Sequence, residues 1–400
     1  MAIRSASILS VLEQKREQFD SFDLHSSERR QQYLNAMRQL KDWPSLKIYE
    51  QLSTVSFPGS LPTEEWDHYA SWQIPFAHDF HNHEESLLWV NQTIQNISTF
   101  AVDGSQIYPS KDISLPIALI QIGWFENRHT PEGLYEKDIR VDVLSPSDLG
   151  ANNSGDPKER IVNMRRFEME IQRIIEYMEH MGSHQQHRSC LAFLDGSLIA
   201  SFAEAFEPSQ QDRYIQSLLN LLRASETYRV PLVAYIDTTY TRDLITFLQY
   251  VFDLPEAPQL HDAQLLETYL EWGDRSPCWV CARGGLQSGQ TGILHHYQEM
   301  RERVGFVYLK TNDNYPVRLE IPIWIQEMGW LDWLVDIVRC EVIIGRGYPY
   351  AIETADQTAV LRNEDRHIFL KVLQDWSQRE NLHLKLSRKT VSKMQRRRVR

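Results

Sequence analysis

The sequence predicts an α/β fold, a mixed sheet flanked by helices behind a helical N-terminal arm, on three observations. Short apolar runs at residues 98–102, 115–125, 190–194 and 230–236 have the length and composition of buried strands. Helix-period stretches at 158–180 and 210–228 alternate with the later runs, an order that favours a sheet covered by helices over separate all-α and all-β parts. Two of the strand runs end in the same tripeptide, Asp-Gly-Ser, at Asp103 and at Asp195.

Each element follows from local pattern. The first hundred residues read as largely helical, with apolar positions Ile8, Val11 and Leu12 and a second charged amphipathic stretch at 33–43. Pro58-Gly59 and Pro62 interrupt this arm, and a helix over 84–95 leads into the first strand. The polar segment 145–157 is a loop. The helix that follows carries Met164, Phe167, Ile171, Ile174, Ile175 and Met178 on its apolar face. Residues 305–310 and 316–322, separated by 311–315, predict a β-hairpin. After Gly345-Arg346-Gly347-Tyr348-Pro349-Tyr350 the chain returns to helix. The expected division is an arm at 1–97, an α/β body at 98–380 and a basic tail at 381–400.

The chain has 400 residues, 42% hydrophobic and 24% charged, enough for one large or two medium domains. No stretch approaches the ~18 apolar residues that cross a bilayer, and the N-terminus lacks the features of a signal peptide, so the expectation is a cytoplasmic protein away from membranes. Cys190, Cys278, Cys281 and Cys340 are too few and scattered for a disulfide framework. The net charge of −12 argues against a nucleic-acid coat protein, yet residues 381–400 hold eight Lys/Arg and no acid. This tail is suited to phosphate contact, although a solvated terminus would look the same.

A short buried strand fixes its last residue, and a following glycine removes a side chain beside the carboxylate. Two such aspartates on neighbouring strands can share hard cations such as Mg²⁺ or Mn²⁺, which prefer oxygen ligands. Either copy alone reads equally well as turn chemistry. The joint order of Asp-Gly-Ser, an acidic helix, a second Asp-Gly-Ser-Leu, Arg318-Leu319-Glu320-Ile321-Pro322 and a closing Gly-Tyr-Pro-Tyr resembles the NurA family of DNA-end-processing nucleases, over about residues 98–370.

That resemblance implies an RNase H-like core, two Mn²⁺ or Mg²⁺ ions, and nuclease action on DNA ends in double-strand break repair, as exonuclease and possible single-strand endonuclease. It also implies a homodimer and partnership with a HerA-type hexameric ATPase. Its metal carboxylates map to Asp103 and Asp195, with Glu168 on the intervening helix; Glu170 is the alternative, and either is equally a solvated helix acid. The span from Glu168 to Asp195 is longer than the family pattern, with 182–187 as an insertion. Tyr348 matches the family tyrosine. Asp356 stands where the family has histidine, a change that keeps a metal donor but removes a cationic acid. His367 would replace that histidine only if one helix ran through both positions. Where the family carries a lysine after the strand at 230–236, this chain has residues 237–242, with Arg242 as the available cation.

In such a site Asp103, Glu168, Asp195 and Asp356 hold the ions and Tyr348 orients phosphate or water, since an ordinary phenol is protonated at neutral pH. The rival expectation is a catalytically weakened DNA-binding or adaptor subunit of a translocase complex, which the Asp356 replacement and the acidic body favour. The His/Asp/Glu-rich segment 78–85 reads as a polar loop entering a helix, because its spacing fits no zinc pattern. Cys278 and Cys281 read as buried thiols, and Trp324, Trp330 and Trp333 as packing rather than base stacking. No phosphate-binding glycine loop occurs, so ATP-driven movement must come from a partner.

Overall fold

The computed structural model describes residues 5–111, 113–150, 158–182, 189–285, 292–382 and 384–385. By packing, the chain divides into two compact units: Met1–Asp79 with Ile236–Ile323, and Phe80–Tyr235 with Trp324–Arg400. Residues 1–79 thus pack with 236–323 instead of forming a separate arm, and 80–97 join the second unit. Pairing of strands more than two hundred residues apart draws this boundary. Helices and strands are numbered along the whole chain.

The first unit holds α1 (Ser5–Gln14), α2 (Arg16–Leu40), α3 (Ser45–Leu52), β1 (Gly59–Pro62) and α4 (Glu64–Tyr69), then α8 (Asp243–Phe252), α9 (Asp262–Leu266), β7 (Trp279–Ala282), β8 (Val304–Leu309) and β9 (Val317–Pro322). Its strands run β1-β7-β8-β9, all antiparallel. The β8–β9 pair is the expected hairpin. Trp66, Trp72 and Trp279 pack ring against ring at 5.1–5.4 Å. Arg318 and Glu320 of the Arg-Leu-Glu-Ile-Pro motif are fully buried, with Arg318 Nε 2.8 Å from Glu320 Oε1 and Nη2 2.8 Å from Asp243 Oδ2. Arg283 completes the group at 2.6 Å from Asp243. This part of the motif therefore serves the interior, where charges persist only when paired.

The second unit contains α5 (His83–Ile94), β2 (Ser98–Ile107), β3 (Ala118–Asn127), β4 (Tyr135–Leu144), α6 (Lys158–Gly182), β5 (Cys190–Asp195), α7 (Pro208–Tyr228), β6 (Leu232–Ile236), α10 (Trp324–Glu327), α11 (Leu331–Ile344), α12 (Tyr350–Ala359) and α13 (Asn363–Arg379). Its strand order is β6-β5-β2-β3-β4. β2, β3 and β4 form an antiparallel meander, and β5 runs parallel to β2 and to β6. This order and these directions make the mixed sheet the RNase H-like one expected.

β5 reads Cys-Leu-Ala-Phe-Leu-Asp and is buried through Leu194, as a central parallel strand covered on both faces must be. β4 lies at the sheet edge, and its charges, Lys137, Asp138, Arg140 and Asp142, discourage pairing by another strand. α6 lays Phe100 of β2 flat against its own Tyr177, ring centroids 4.0 Å apart. Ile171, Ile174 and Met178 bury with it, and α7 adds Leu218, Leu219 and Leu222. All four cysteines are free and buried, and burial pushes the Cys190 and Cys281 thiols up to about 12. Trp324 and Trp330 bury against each other. Segment 78–85 enters α5, where the Asn82 side chain caps the helix by accepting from Glu85 N. Most of the basic tail and of the 182–187 insertion lies outside the described residues. No helix among the described residues is long and apolar enough to cross a membrane.

Candidate active site

The parallel register from Ser98↔Cys190 to Val102↔Leu194 brings Asp103 and Asp195 to the next matching position on adjacent strands. Asp103 and Asp195 thus follow directly on the last registered pair of two strands that, like any hydrogen-bonded pair, run about 4.8 Å apart. The two Asp-Gly-Ser motifs solve different problems. Asp103 does not end its strand: β2 continues to Ile107, and Asp103 pairs with Gly123 of β3. Gly104 is needed for close approach, because a Cβ there would collide with Glu170 Oε1 and lie 2.7 Å from Arg166 Cγ. Asp195 does end β5, opposite Tyr235, and Gly196 at φ +133° has nothing within 4 Å of its Cβ position. There the glycine serves the turn.

From α6, Arg166 and Glu170 descend on Gly104, four residues apart on one face. Arg166 Nη1 donates to the Gly104 carbonyl at 2.7 Å, and its Nε stands 3.5 Å from Glu170 Oε1. Glu168 does not reach this place. It points to α7, where Arg213 grips it in a two-pronged pair at 2.8 Å for each prong. Two helical residues are about 200° of rotation, so Glu168 and Glu170 cannot serve one site. Of the two, Glu170 is the one that stands beside Gly104 and β2.

The third wall comes from the C-terminal segment. Tyr348 donates its hydroxyl to Asp195 Oδ1 at 3.2 Å, with its ring edge-on to Tyr235 at 5.2 Å. α12 then carries Asp356 to within hydrogen-bonding reach of Asp103. Gly123 permits this docking, since a Cβ there would lie 2.6 Å from Ala359 N of α12. Fully buried Glu341 fastens the start of α12 to the sheet, accepting from Ala351 N and from Thr99 Oγ1, both at 2.7 Å. α12 ends at Ala359, so His367 belongs to a separate helix and does not take the family histidine's place. Arg242 is a residue of the first unit.

Residues 97–361 match the model of the NurA domain. The chain belongs to the NurA family. Among solved structures, this NurA protein is similar to the catalytic domain of human endonuclease V at 11% identity and TM-score 0.32, over 73% of this chain and 95% of that one. A comparison with curated proteins returns no match. Family membership makes this a nuclease-like DNA-processing protein, and nucleases of this kind use divalent metal ions.

The site of this NurA chain suits such ions by donor chemistry. Burial pushes the Asp103 carboxyl up to about 6, with Asp356 adding to the rise and the Gly104 N–H and Arg166 opposing it. Burial pushes Glu170 up to about 8, against Arg166 and with the help of Asp103 and Asp195. Glu170 Oε1 is buried without a hydrogen-bond partner. Asp356 sits in the last turn of α12. Asp103 and Glu170 share the one guanidinium of Arg166, while Asp356 stands by Asp103 and Asp195 acts on Glu170, an excess of negative charge that a hard cation would relieve. The carboxyls meet in neighbouring contacts, and among the described residues no three His, Cys, Asp or Glu side chains are already placed to hold a metal. Sequence pattern missed Arg166 and the packing role of Gly104; the available signal was Arg166 and Glu170 at i and i+4.

Proposed function

We propose that this protein is a Mn²⁺- or Mg²⁺-dependent deoxyribonuclease that removes nucleotides from DNA ends, with a role in double-strand break repair. The observation that carries this is the adjacency of Asp103 and Asp195 on parallel strands, faced by Glu170 from α6 and Asp356 from α12.

Asp103, Glu170, Asp195 and Asp356 would hold the ions. When bound, such ions neutralise charge on a phosphodiester and make water a stronger nucleophile at neutral pH. The chain's own groups do the rest. Tyr348 holds the Asp195 carboxylate through its hydroxyl. Arg166 ties the strand carbonyl of Gly104 to α6 and keeps Glu170 at the sheet. Glu341 holds α12, and therefore Asp356, in register with β2. Asp356 cannot act as a cationic acid, so proton delivery to the leaving oxygen falls to solvent or to another group.

The partners belong to the same proposal: DNA as substrate, a second copy of the chain, and a HerA-type hexameric ATPase that feeds the DNA end. A second reading, a binding or adaptor subunit with little activity, is favoured by Asp356 at the histidine position. End-labelled single- and double-stranded DNA incubated with Mn²⁺ separates the two. Cleavage by the wild type and its loss in Asp103→Ala support the nuclease; intact DNA in both, with a translocase present, supports the adaptor.

A further inference from the structure

Beyond Asp103, β2 leads to a second polar feature. The chain after Ile107 and the start of α13 enclose a cleft of about 430 Å³, lined by Gln106, Tyr108, Lys111, Arg362 and Arg366 among others, with no carboxylate in its wall. Lys111, Arg362 and Arg366 are exposed, and none forms an ion pair with a described residue. In a chain with 54 acids against 42 bases, three cations without an ion pair among the described residues gather in one cleft, while Glu364 and Asp365 of the same turn are not among the residues that line it. Arg362 and Arg366 lie one helical turn apart at the start of α13, where like charges repel and cations oppose the helix dipole.

The cleft is tied to the carboxylates by two connections. Asp103 and Ser105 face the same side of β2, about 7 Å apart along the strand. Ser105 Oγ accepts from Leu361 N at 3.3 Å, and Leu361 lines the cleft immediately before Arg362. On the second path, Asp356 and Leu361 are five residues apart across the end of α12. Phosphates of one strand recur about every 3.4 Å of duplex axis, so a strand whose scissile phosphate sat at the carboxylates would carry a neighbouring phosphate towards the cleft.

We infer that Lys111, Arg362 and Arg366 form a phosphate-binding subsite that grips the backbone of the DNA strand a few nucleotides from the bond to be cut. This rests on the nuclease proposal for its substrate class, but its test is a binding measurement that does not require cleavage.

The experiment uses full-length protein without divalent metal and a fluorescein-labelled single-stranded oligonucleotide, with anisotropy followed over a KCl series. Replacing Lys111, Arg362 and Arg366 together by Gln should weaken binding roughly 10-fold or more and flatten the log–log salt slope by about 2–3. Arg362→Lys with Arg366→Lys should retain the slope, which guards against a variant that is merely misfolded. A control removing Lys371 and Arg379, further along α13, should change both quantities less. In cleavage assays the cleft variant's loss should appear in KM. Wild-type affinity and slope in the triple variant, a loss matched by the control, no DNA binding by the wild type, or equal competition by inorganic phosphate at the same ionic strength would each overturn the subsite. If the wild type binds with the steep slope but leaves DNA intact in Mn²⁺, the nuclease proposal fails while the subsite stands.

Discussion

Gly104 and Glu170 are in direct contact: the hydrogen of a glycine is all that fits between β2 and the carboxylate of α6, and a methyl group at position 104 would overlap Glu170 Oε1. The Asp-Gly pair at 103–104 is therefore a packing device that lets a helix acid reach a strand acid. Gly104→Ala should cost about 1–3 kcal/mol through overpacking. It should lower cleavage by ~100-fold, as displacements near 1 Å do. Thermal melting and initial rates check this, and an active Gly104→Ala protein would contradict the contact. Gly196→Ala has open space around it and suffers only from its φ of +133°, so its defect should be in folding stability.

Glu168 and Glu170 of α6 should separate cleanly. Glu170→Gln should abolish Mn²⁺-dependent cleavage, whereas Glu168→Gln loses its half-exposed pair with Arg213 and a longer contact with Arg165, surface interactions worth ~1 kcal/mol or less. Because the Glu170 carboxyl is raised to about 8, its contribution to stability is present at low pH and lost as pH rises through that value. In metal-free buffer at high pH, Glu170→Gln should therefore melt above the wild type, and Mn²⁺ should reverse the order by stabilising only the wild type. A Mn²⁺-induced shift that survives in Glu170→Gln would remove Glu170 from the ligand set.

Those two residues also show where sequence pattern stops being informative. The strand aspartates stood out because each closes a buried apolar run before Gly-Ser, although only at Asp195 does that tripeptide mark the strand's exit. The choice between Glu168 and Glu170 was not legible, since α6 packs on the sheet through Met164, Ile171 and Met178 and on α7 through Phe167, which meets Tyr214 at 5.0 Å. Two apolar faces blur the helical period, and an acid flanking either of them looks aimed inward. The first unit was missed for another reason: β1 pairs with β7 across more than two hundred residues, and local periodicity carries no record of such pairing. The Arg318 motif was found, but its burial with Asp243 and Glu320 became visible only in three dimensions.

Asp262 should impose a pH dependence on the first unit. It is fully buried, accepts from Leu244 N, Ile245 N and the Tyr308 hydroxyl, and burial beside Asp243 raises its carboxyl to about 7. A raised acid binds its proton more tightly in the folded state, so its contribution is complete below the unfolded value near 3.8 and is lost as pH rises through 7. Between those values stability should fall by up to ~1.4 kcal/mol per pH unit from this group. Asp262→Asn should flatten the slope measured by denaturant titration at several pH values, even though losing one of the acceptor contacts costs ~1 kcal/mol. An unchanged slope would show that Asp262 is ionised in the folded protein.

The apolar face of α13 offers a surface on which the proposed second copy would dock. Ile368, Val372 and Trp376 are 61%, 57% and 43% exposed, and they line a groove of about 800 Å³ with Leu119, Ile139 and Val143 of the β3–β4 edge. A contiguous apolar surface of this kind is costly to leave in water and marks an interaction site. The occupant expected is the same groove of a second copy, because a two-fold interface joins a patch to itself and needs no other partner. Ile368→Glu with Trp376→Glu places two charges in that interface, so light scattering after gel filtration should find a monomer where the wild type is a dimer. The carboxylates lie on other elements, and the monomeric variant should keep its Mn²⁺-induced rise in melting temperature. A wild-type monomer would mean that the groove receives a different partner.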